Sequence, residues 1–308
     1  MVSIWRRWLS TAKRSIARPN KRSGPGKPAA YSTTDSRIGL LNMKSLTSNL
    51  RLFWQGTLLS YVALFAWLQP VTYMASKIVM PLTQMLFFTF LGSFATGRDS
   101  AHFYVIGNAI QITAVSGIFG VTMSIGGERW SGTLVYLFGT PANRMAMFFG
   151  RAFMHIIDGM IGVVIALLWG VILFNLDLSQ TNLSALALTI FVTTLSTCGL
   201  GLLMGCLSLL TANVMFVNNT VYFLLLIFSG ANVNLSTLPS WMQAISQVLP
   251  LTRGIASARA LIAGASMQEV LPLLAQELGI GLLYGLVGYF MFQWVEISAK
   301  RSGTLETI

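Results

Sequence analysis

Arg151, His155 and Asp158 recur at i, i+4 and i+7, which places a guanidinium, an imidazole and a carboxylate on one face of a single helix. Inside an apolar segment such a set must face protein or water. It can build an ion-pair network with itself or a neighbouring helix, or pass a proton along a short relay. One His and one Asp make a thin relay, so the network is the better reading, with Lys77 as a further partner or as a side chain that snorkels to the surface. Enzymatic chemistry needs more than this. The chain has two histidines, His102 and His155, and nine carboxylates. No paired carboxylates, metal-ligand cluster or Ser/His constellation stands out among them, which argues against hydrolase and acyltransferase classes. Cys198 and Cys206 are eight apart in one apolar run and read as small packing residues. Gly26-Lys27 fails as a phosphate loop, because Lys21 stands where the first glycine is needed and Pro28 where Ser/Thr is needed.

A second polar group is Glu128-Arg129-Trp130-Ser131-Gly132-Thr133-Leu134, continued by Thr140-Pro141-Ala142-Asn143-Arg144. It lies between two long apolar segments and has no place in hydrocarbon. Gly132 permits a tight turn, and Thr133 is placed to cap a following short helix. Glu128 and Arg129 offer charge-assisted hydrogen bonds through which a soluble partner could push on the chain. The plain alternative is a solvated surface pair of little energetic weight.

The elements around these residues are membrane elements. Hydrophobic residues make up 54% of the chain and charged residues only 9%, where soluble domains carry roughly 25% charged residues. Mean hydropathy is +0.68. The net charge of +11 is concentrated at one end, with eleven of the twenty Lys/Arg in residues 1–51 against the single acid Asp35. Residues 1–45 interleave these cations with Ser, Pro and Gly and read as a disordered cytoplasmic arm able to touch anionic lipid. A cleaved signal peptide fits poorly, since no apolar stretch follows the charges closely.

About 20 apolar residues cross a bilayer, and on that measure six spans fit residues 46–300: roughly 74–96, 104–125, 147–174, 184–210, 214–231 and 276–295. Residues 178–252 hold no charged side chain, so this run hides two spans, with the turn at Thr211-Ala212-Asn213. Residues 52–69 are uncharged and nearly long enough for a seventh. Pro70, the preceding Lys44 and Arg51, and the residue types Trp54, Tyr61 and Trp67 favour an interfacial helix instead. Six spans place the arm, the 126–146 loop and the 301–308 tail on the cytoplasmic side of a plasma membrane, which agrees with the bias of positive charge. The outer side then carries a roughly 40-residue connection, 232–275, of mixed polarity. It contains a turn before Pro239 and a short apolar helix from Trp241 to Val248, stopped by Pro250. Arg253 and Arg259 follow, able to bind lipid phosphates or to pair with Glu269 and Glu277.

These residues resemble a known family. Glu128-Arg129-x-x-Gly132-Thr133-Leu134, then Thr140-Pro141-x-x-Arg144 and Gly150-Arg151, resemble the first cytoplasmic loop of type-2 ATP-binding-cassette exporter permeases. Ser229-Gly230, Leu238-Pro239-x-Trp241, Leu249-Pro250-Leu251-Thr252-Arg253 and Ala258-Arg259 resemble the segment between that family's fifth and sixth spans. The likeness covers roughly residues 50–300; Trp130 departs from it, standing where a charged residue is expected. It implies an all-α membrane protein with six transmembrane helices, an N-terminal interfacial helix and a re-entrant outer hairpin between spans five and six. It implies a transmembrane subunit with no catalytic site, pairing with a copy of itself or a paralogue. Two ATP-binding subunits would carry the ATP and Mg²⁺ and dock on a coupling helix formed around Glu128, Arg129, Gly132, Thr133 and Arg144. Pro239, Trp241, Pro250 and Arg253 would form an outer gate.

Asn108, Gln111, Thr113, Asn213, Asn218 and Asn219 are the polar residues best placed to line a path, the alternative being hydrogen bonds between helices. Gly201-x-x-x-Gly205 and Gly281-x-x-x-Gly285 let helices approach closely, within the chain or across a dimer. A lining without fixed charge suits an amphipathic cargo. The competing function is an ion-coupled secondary transporter or channel acting without an ATPase. It needs intramembrane carboxylates, for which Asp158 is nearly the sole candidate, and often inverted repeats, which are not seen. Nothing in the sequence points to nucleic acid.

Overall fold

The computed structural model describes residues 47–60, 70–130, 132–133, 136, 139, 143–211 and 213–302. The arm over 1–45, the 61–69 half of the expected interfacial helix with Tyr61 and Trp67, the loop residues Thr140 to Ala142, and the tail from 303 lie outside the described residues. Residues 47–60 form α1. The long elements are α2 (Pro70–Thr96), α3 (Ala101–Ala114), α4 (Val121–Trp130), α5 (Arg144–Phe174), α6 (Leu183–Ser208) and α7 (Val214–Phe228). Two short helices, α8 (Ser240–Val248) and α9 (Thr252–Ile262), precede α10 (Met267–Ser302). A π-helical turn, Val115–Gly120, joins α3 to α4, so one helical rod runs through both.

Five stretches are long and apolar enough to cross a membrane: Val71–Thr96, Arg98–Glu128, Arg144–Phe174, Leu183–Ser208 and Met267–Ser298. α7 is apolar but has 15 residues, about 22 Å at 1.5 Å per residue and so short of a ~30 Å hydrocarbon core. The first four stretches follow the expected spans within a few residues. The last begins nine residues earlier than expected, because α10 continues through Glu269, Pro272 and Glu277. Pro272 lies near its start, where the lost hydrogen bond affects only the opening turns. The expected break at 211–213 is present: α6 ends at Ser208, and the Asn213 side chain accepts the Phe216 N–H to start α7.

α6 is the axis of the bundle. Its glycines and hydroxyl residues leave room for neighbouring backbones, as close helix packing requires. A Cβ at Gly199 would strike the Gly281 carbonyl of α10, one at Gly201 the Gly117 carbonyl of the π turn, and one at Gly205 the Ile125 side chain. The Gly201/Gly205 motif therefore serves contacts within the chain, as does Gly281, which abuts Ser196; Gly285 is open. Thr189, Thr193 and Thr194 return their hydroxyls to carbonyls one turn back, which satisfies them where no water reaches. Two apolar clusters result. The larger joins α3, α5, α6 and α9, with Val105, Ile110, Val163 and Leu261 at its heart. The smaller sits at the α4–α5 loop end around Phe148 and Phe292, whose rings meet edge to face at 5.0 Å.

Candidate functional site

The polar island is built as a helix terminus. α4 runs through Glu128, and Gly132 then adopts φ 66°, a conformation that glycine takes without penalty. The Thr133 N–H returns to the Glu128 carbonyl at 3.0 Å, six residues closed on one turn in the manner of a Schellman C-cap. The Thr133 hydroxyl donates to the Glu128 carboxylate. Thr133 thus closes the preceding helix; the start of a following one, which it was expected to cap, falls on residues outside the described ones. The other Glu128 oxygen accepts from Arg151 Nη2. Arg151 Nη1 donates to the Ser124 carbonyl at 2.5 Å, and the Arg151 residue is only 7% exposed. The turn is therefore clamped to the first third of α5. The backbone of Arg129 lies in α4 next to this clamp, and its side chain lies outside the described residues.

Arg144, at the first position of α5, pairs with Glu296 near the end of α10. Asn143 caps the same helix by accepting the Ala146 N–H. α1 joins this end of the bundle: the Thr57 hydroxyl donates to the Gly150 carbonyl at 2.8 Å, and the Phe53 ring lies 5.6 Å from Phe153. The α4 terminus, the start of α5, the end of α10 and α1 thus form one continuous face.

The Arg151, His155, Asp158 stripe shares one face as its spacing predicts, but its members have separate partners. Arg151 turns to Glu128. Asp158 pairs with Lys77 of α2 at 2.5 Å, and accepts the Tyr73 hydroxyl at 2.5 Å and the Ser116 hydroxyl at 2.7 Å. Lys77 also reaches Ser116 at 3.3 Å, so α2, the π turn and α5 meet at one charged node. Of the two roles expected for Lys77, partner or snorkelling side chain, the structure shows the partner; Tyr73, one turn before it, and Ser116 were missed, although Tyr73 and Lys77 stand i, i+4 on one face. His155 is buried against Gly120, and its Nε2 has no hydrogen-bond partner.

The opposite end holds the second group of candidate residues. Pro239 precedes α8, Trp241 is exposed on it, and Pro250 is buried at the α8–α9 corner. Glu277 of α10 is fully buried and takes the N–H groups of Leu251 (2.5 Å) and Arg253 (3.2 Å), capping α9 with a carboxylate. This holds Leu251 at φ 83°, a conformation rarely adopted by a residue with a Cβ. Of the two alternatives for Arg253 and Arg259, lipid phosphates or Glu269 and Glu277, the side-chain pairing with the acids is not what the structure shows. Arg253 donates to Gln276 and Gln247 at 2.8 and 2.9 Å. Arg259 donates to the carbonyls of Gly230, Ala231 and Phe103 and lies 3.5 Å over the Phe103 ring. The Ser229–Ala231 chain reversal leaves two of these carbonyls, those of Gly230 and Ala231, without a helical partner beside the guanidinium. Burial lowers the Arg259 pKa to about 9, so it is still a cation at neutral pH. Glu269 instead accepts the Ser266 N–H and hydroxyl.

The polar residues of α3 and α7 divide. Asn108 donates to the Tyr104 carbonyl and to Asn232 Oδ1 at 2.8 Å; its own oxygen accepts from Gln84, whose oxygen takes the Tyr222 hydroxyl. Gln111 accepts from Ser229 at 3.2 Å. Asn218 is fully buried with both amide atoms unpartnered, and Asn219 is exposed. Asn108 and Gln111 are thus engaged between helices within the chain, and Asn219 faces out of it.

Five helices long and apolar enough to cross a membrane, packed into one bundle, define a multi-pass membrane protein. The sequence model of the ABC-2 type transporter family matches residues 56–263, and the chain belongs to that family as its membrane-spanning permease component. No curated protein matches the chain. Permeases of this family typically work with an ATP-binding subunit and are not themselves catalytic.

Proposed function

We propose that the chain is half of an ATP-driven exporter. Six spans, with α7 extended by the Ser229–Ala231 turn as the fifth, form the path. The 126–146 loop faces the cytoplasm with both termini, in the plasma membrane, and receives the movement of two ATP-binding subunits that carry ATP and Mg²⁺. Two permease subunits, identical or paralogous, complete the assembly. α8 and α9 form the re-entrant outer hairpin, with Pro239, Trp241, Pro250 and Arg253 in the outer gate. A chain whose spans carry few fixed charges suits an amphipathic cargo, moved as the halves rock against each other.

The observation that carries this reading is the clamp at the α4 terminus. A loop that transmits force has to be stiff, and Glu128 is tied to Thr133 on one side and to Arg151 of α5 on the other. A displacement imposed at Gly132 is delivered to α5 without being absorbed in a flexible loop. The ion-coupled carrier is the weaker reading. Asp158 is held by Lys77, Ser116 and Tyr73, and Glu277 by backbone N–H groups, so both carboxylates are already committed to protein donors.

The test is affinity purification of the tagged chain in mild detergent, with mass spectrometry of co-purifying proteins and an ATPase assay. A stoichiometric ATP-binding subunit, whose activity falls with Glu128→Ala or Arg129→Ala in a correctly inserted chain, is expected. A preparation without such a subunit that still moves cargo under a proton gradient would replace this reading with the carrier.

A further inference from the structure

α10 presents Gln276, Gly279, Ile280 and Leu283 at i, i+3, i+4 and i+7, a single stripe along one helix face. The end of α8 and the start of α9 stand against its upper part and leave a groove of about 330 Å³, closed on that side by Gln247, Val248 and Arg253. A Cβ at Gly279 would meet nothing within 4 Å. Gly279 therefore has no packing reason within the chain, unlike Gly281, which is pressed against Ser196. A glycine in a helix interior that leaves space on an outer face is what a close-lying ligand requires.

The groove is polarised along its length. At the end near α9, Arg253 holds the amide oxygens of Gln276 and Gln247, which leaves each amide its N–H donors, while Arg253 Nη1 finds no acceptor. No carboxylate side chain forms an ion pair with Arg253 among the described residues, and Glu277 spends its oxygens on backbone N–H groups. That end is rich in donors and positive. Toward the bundle centre the stripe is apolar, continuing through Leu283 to Val287. The mouth is flanked by exposed Val248, Leu282 and Leu286, an apolar rim that, with α10 as the sixth span proposed above, opens toward lipid.

We propose that this groove seats an anionic phospholipid of the leaflet at the α8–α9 end. Its phosphate lies against Arg253 and the Gln247 and Gln276 amides, and an acyl chain lies over Gly279 along Ile280 and Leu283. Charge complementarity selects the headgroup: a guanidinium with two amide donors matches a phosphate in geometry as well as sign. The opening toward lipid selects the bilayer as the source. Through Arg253 the lipid touches α8, α9 and α10 together, so its presence stiffens the connection that follows α7.

The test is native mass spectrometry of the full chain in mild detergent, incubated with an equimolar mixture of phosphatidylglycerol and phosphatidylcholine. The wild-type chain is expected to retain phosphatidylglycerol in preference. Gly279→Leu, whose Cβ meets nothing within 4 Å and whose side chain would occupy the groove, is expected to lose the retained lipid. Arg253→Gln is expected to bind phosphatidylglycerol about tenfold more weakly, the order of one lost charge-assisted contact, and to lose the preference. A wild-type chain without preference, or a Gly279→Leu chain that retains phosphatidylglycerol undiminished, overturns the proposal. Displacement of the lipid by inorganic phosphate alone also overturns it, in favour of a small-anion site. Displacement by an exported amphiphile that the assembly transports overturns it in favour of a cargo site.

Discussion

Arg151 of α5 holds Glu128 of α4 and, with its other terminal nitrogen, the Ser124 carbonyl one turn earlier, so one guanidinium spans the last turn of α4. An arginine with two such partners fixes a helix end in direction as well as position. The loop at Gly132 therefore belongs mechanically to α5.

Glu128→Ala breaks this clamp from one side. Because Arg151 is left nearly buried without its carboxylate, the folded chain should lose about 1–3 kcal/mol, less than a fully buried pair because Glu128 is partly exposed. A double-mutant cycle with Arg151→Ala should show a coupling of about 1–2 kcal/mol. Thermal unfolding in detergent gives the stability arm, and partner-dependent ATPase activity gives the functional arm. Additive effects in both would mean that the two side chains do not act as a unit.

The Lys77–Asp158 node makes a separate prediction. Either Lys77→Met or Asp158→Leu alone leaves an uncompensated charge among α2, α5 and the π turn, at a cost of about 3–5 kcal/mol. The double substitution removes both charges and keeps apolar volume, so it should recover most of the lost stability. Melting temperatures of the three variants decide it. If the double variant melts as low as the worse single one, hydrogen bonding to Tyr73 and Ser116 outweighs the charge pair.

Long-range hydropathy and local spacing made much of this architecture legible. The apolar runs located the long helices, Asn213 marked the break between α6 and α7, and Gly132 marked the turn that closes α4. The i, i+4, i+7 rule put Arg151 and Asp158 on one face. Spacing could not reveal that the two residues turn to different helices, since Glu128 and Lys77 lie 23 and 81 positions away. Glu277 was legible as an acid within reach of Arg253, yet what it holds is backbone, and no sequence pattern announces an unpaired N–H. Arg259 was legible as a cation in want of a lipid phosphate or an acid, but its acceptors were not: they are main-chain carbonyls, two at the Gly230 reversal and one at Phe103 of α3, which carry no side-chain signature.

Gly201 should be among the least replaceable residues of the bundle. A side chain there would land on the Gly117 carbonyl, and neither backbone can retreat from the other. Gly201→Leu should cost about 1–3 kcal/mol through overpacking and displace the π turn. Gly285→Leu, at an open position on α10, should leave the melting temperature of the chain unchanged. Size-exclusion profiles beside the melting curves would show whether Gly285 instead matters to association. Equal damage from both substitutions would contradict the placement of Gly201 against the π turn.

Arg259 offers the sharpest test of the outer connection. Its guanidinium donates to three carbonyls and stacks on Phe103, tying α9 to the start of α3 and to the Gly230 reversal. Lysine keeps the charge but offers one compact ammonium in place of a planar fork, so it cannot meet carbonyls on two sides of the ring. Arg259→Lys should therefore behave almost like Arg259→Ala, with a loss of about 1–3 kcal/mol from unpaired buried carbonyls. The loss should appear first as faster proteolysis between Ala231 and Leu238, since that segment is anchored through the same contacts, while the α4–α5 end keeps its protection. If lysine restores full protection, charge alone holds the connection, and the fork geometry seen at Gly230, Ala231 and Phe103 is dispensable.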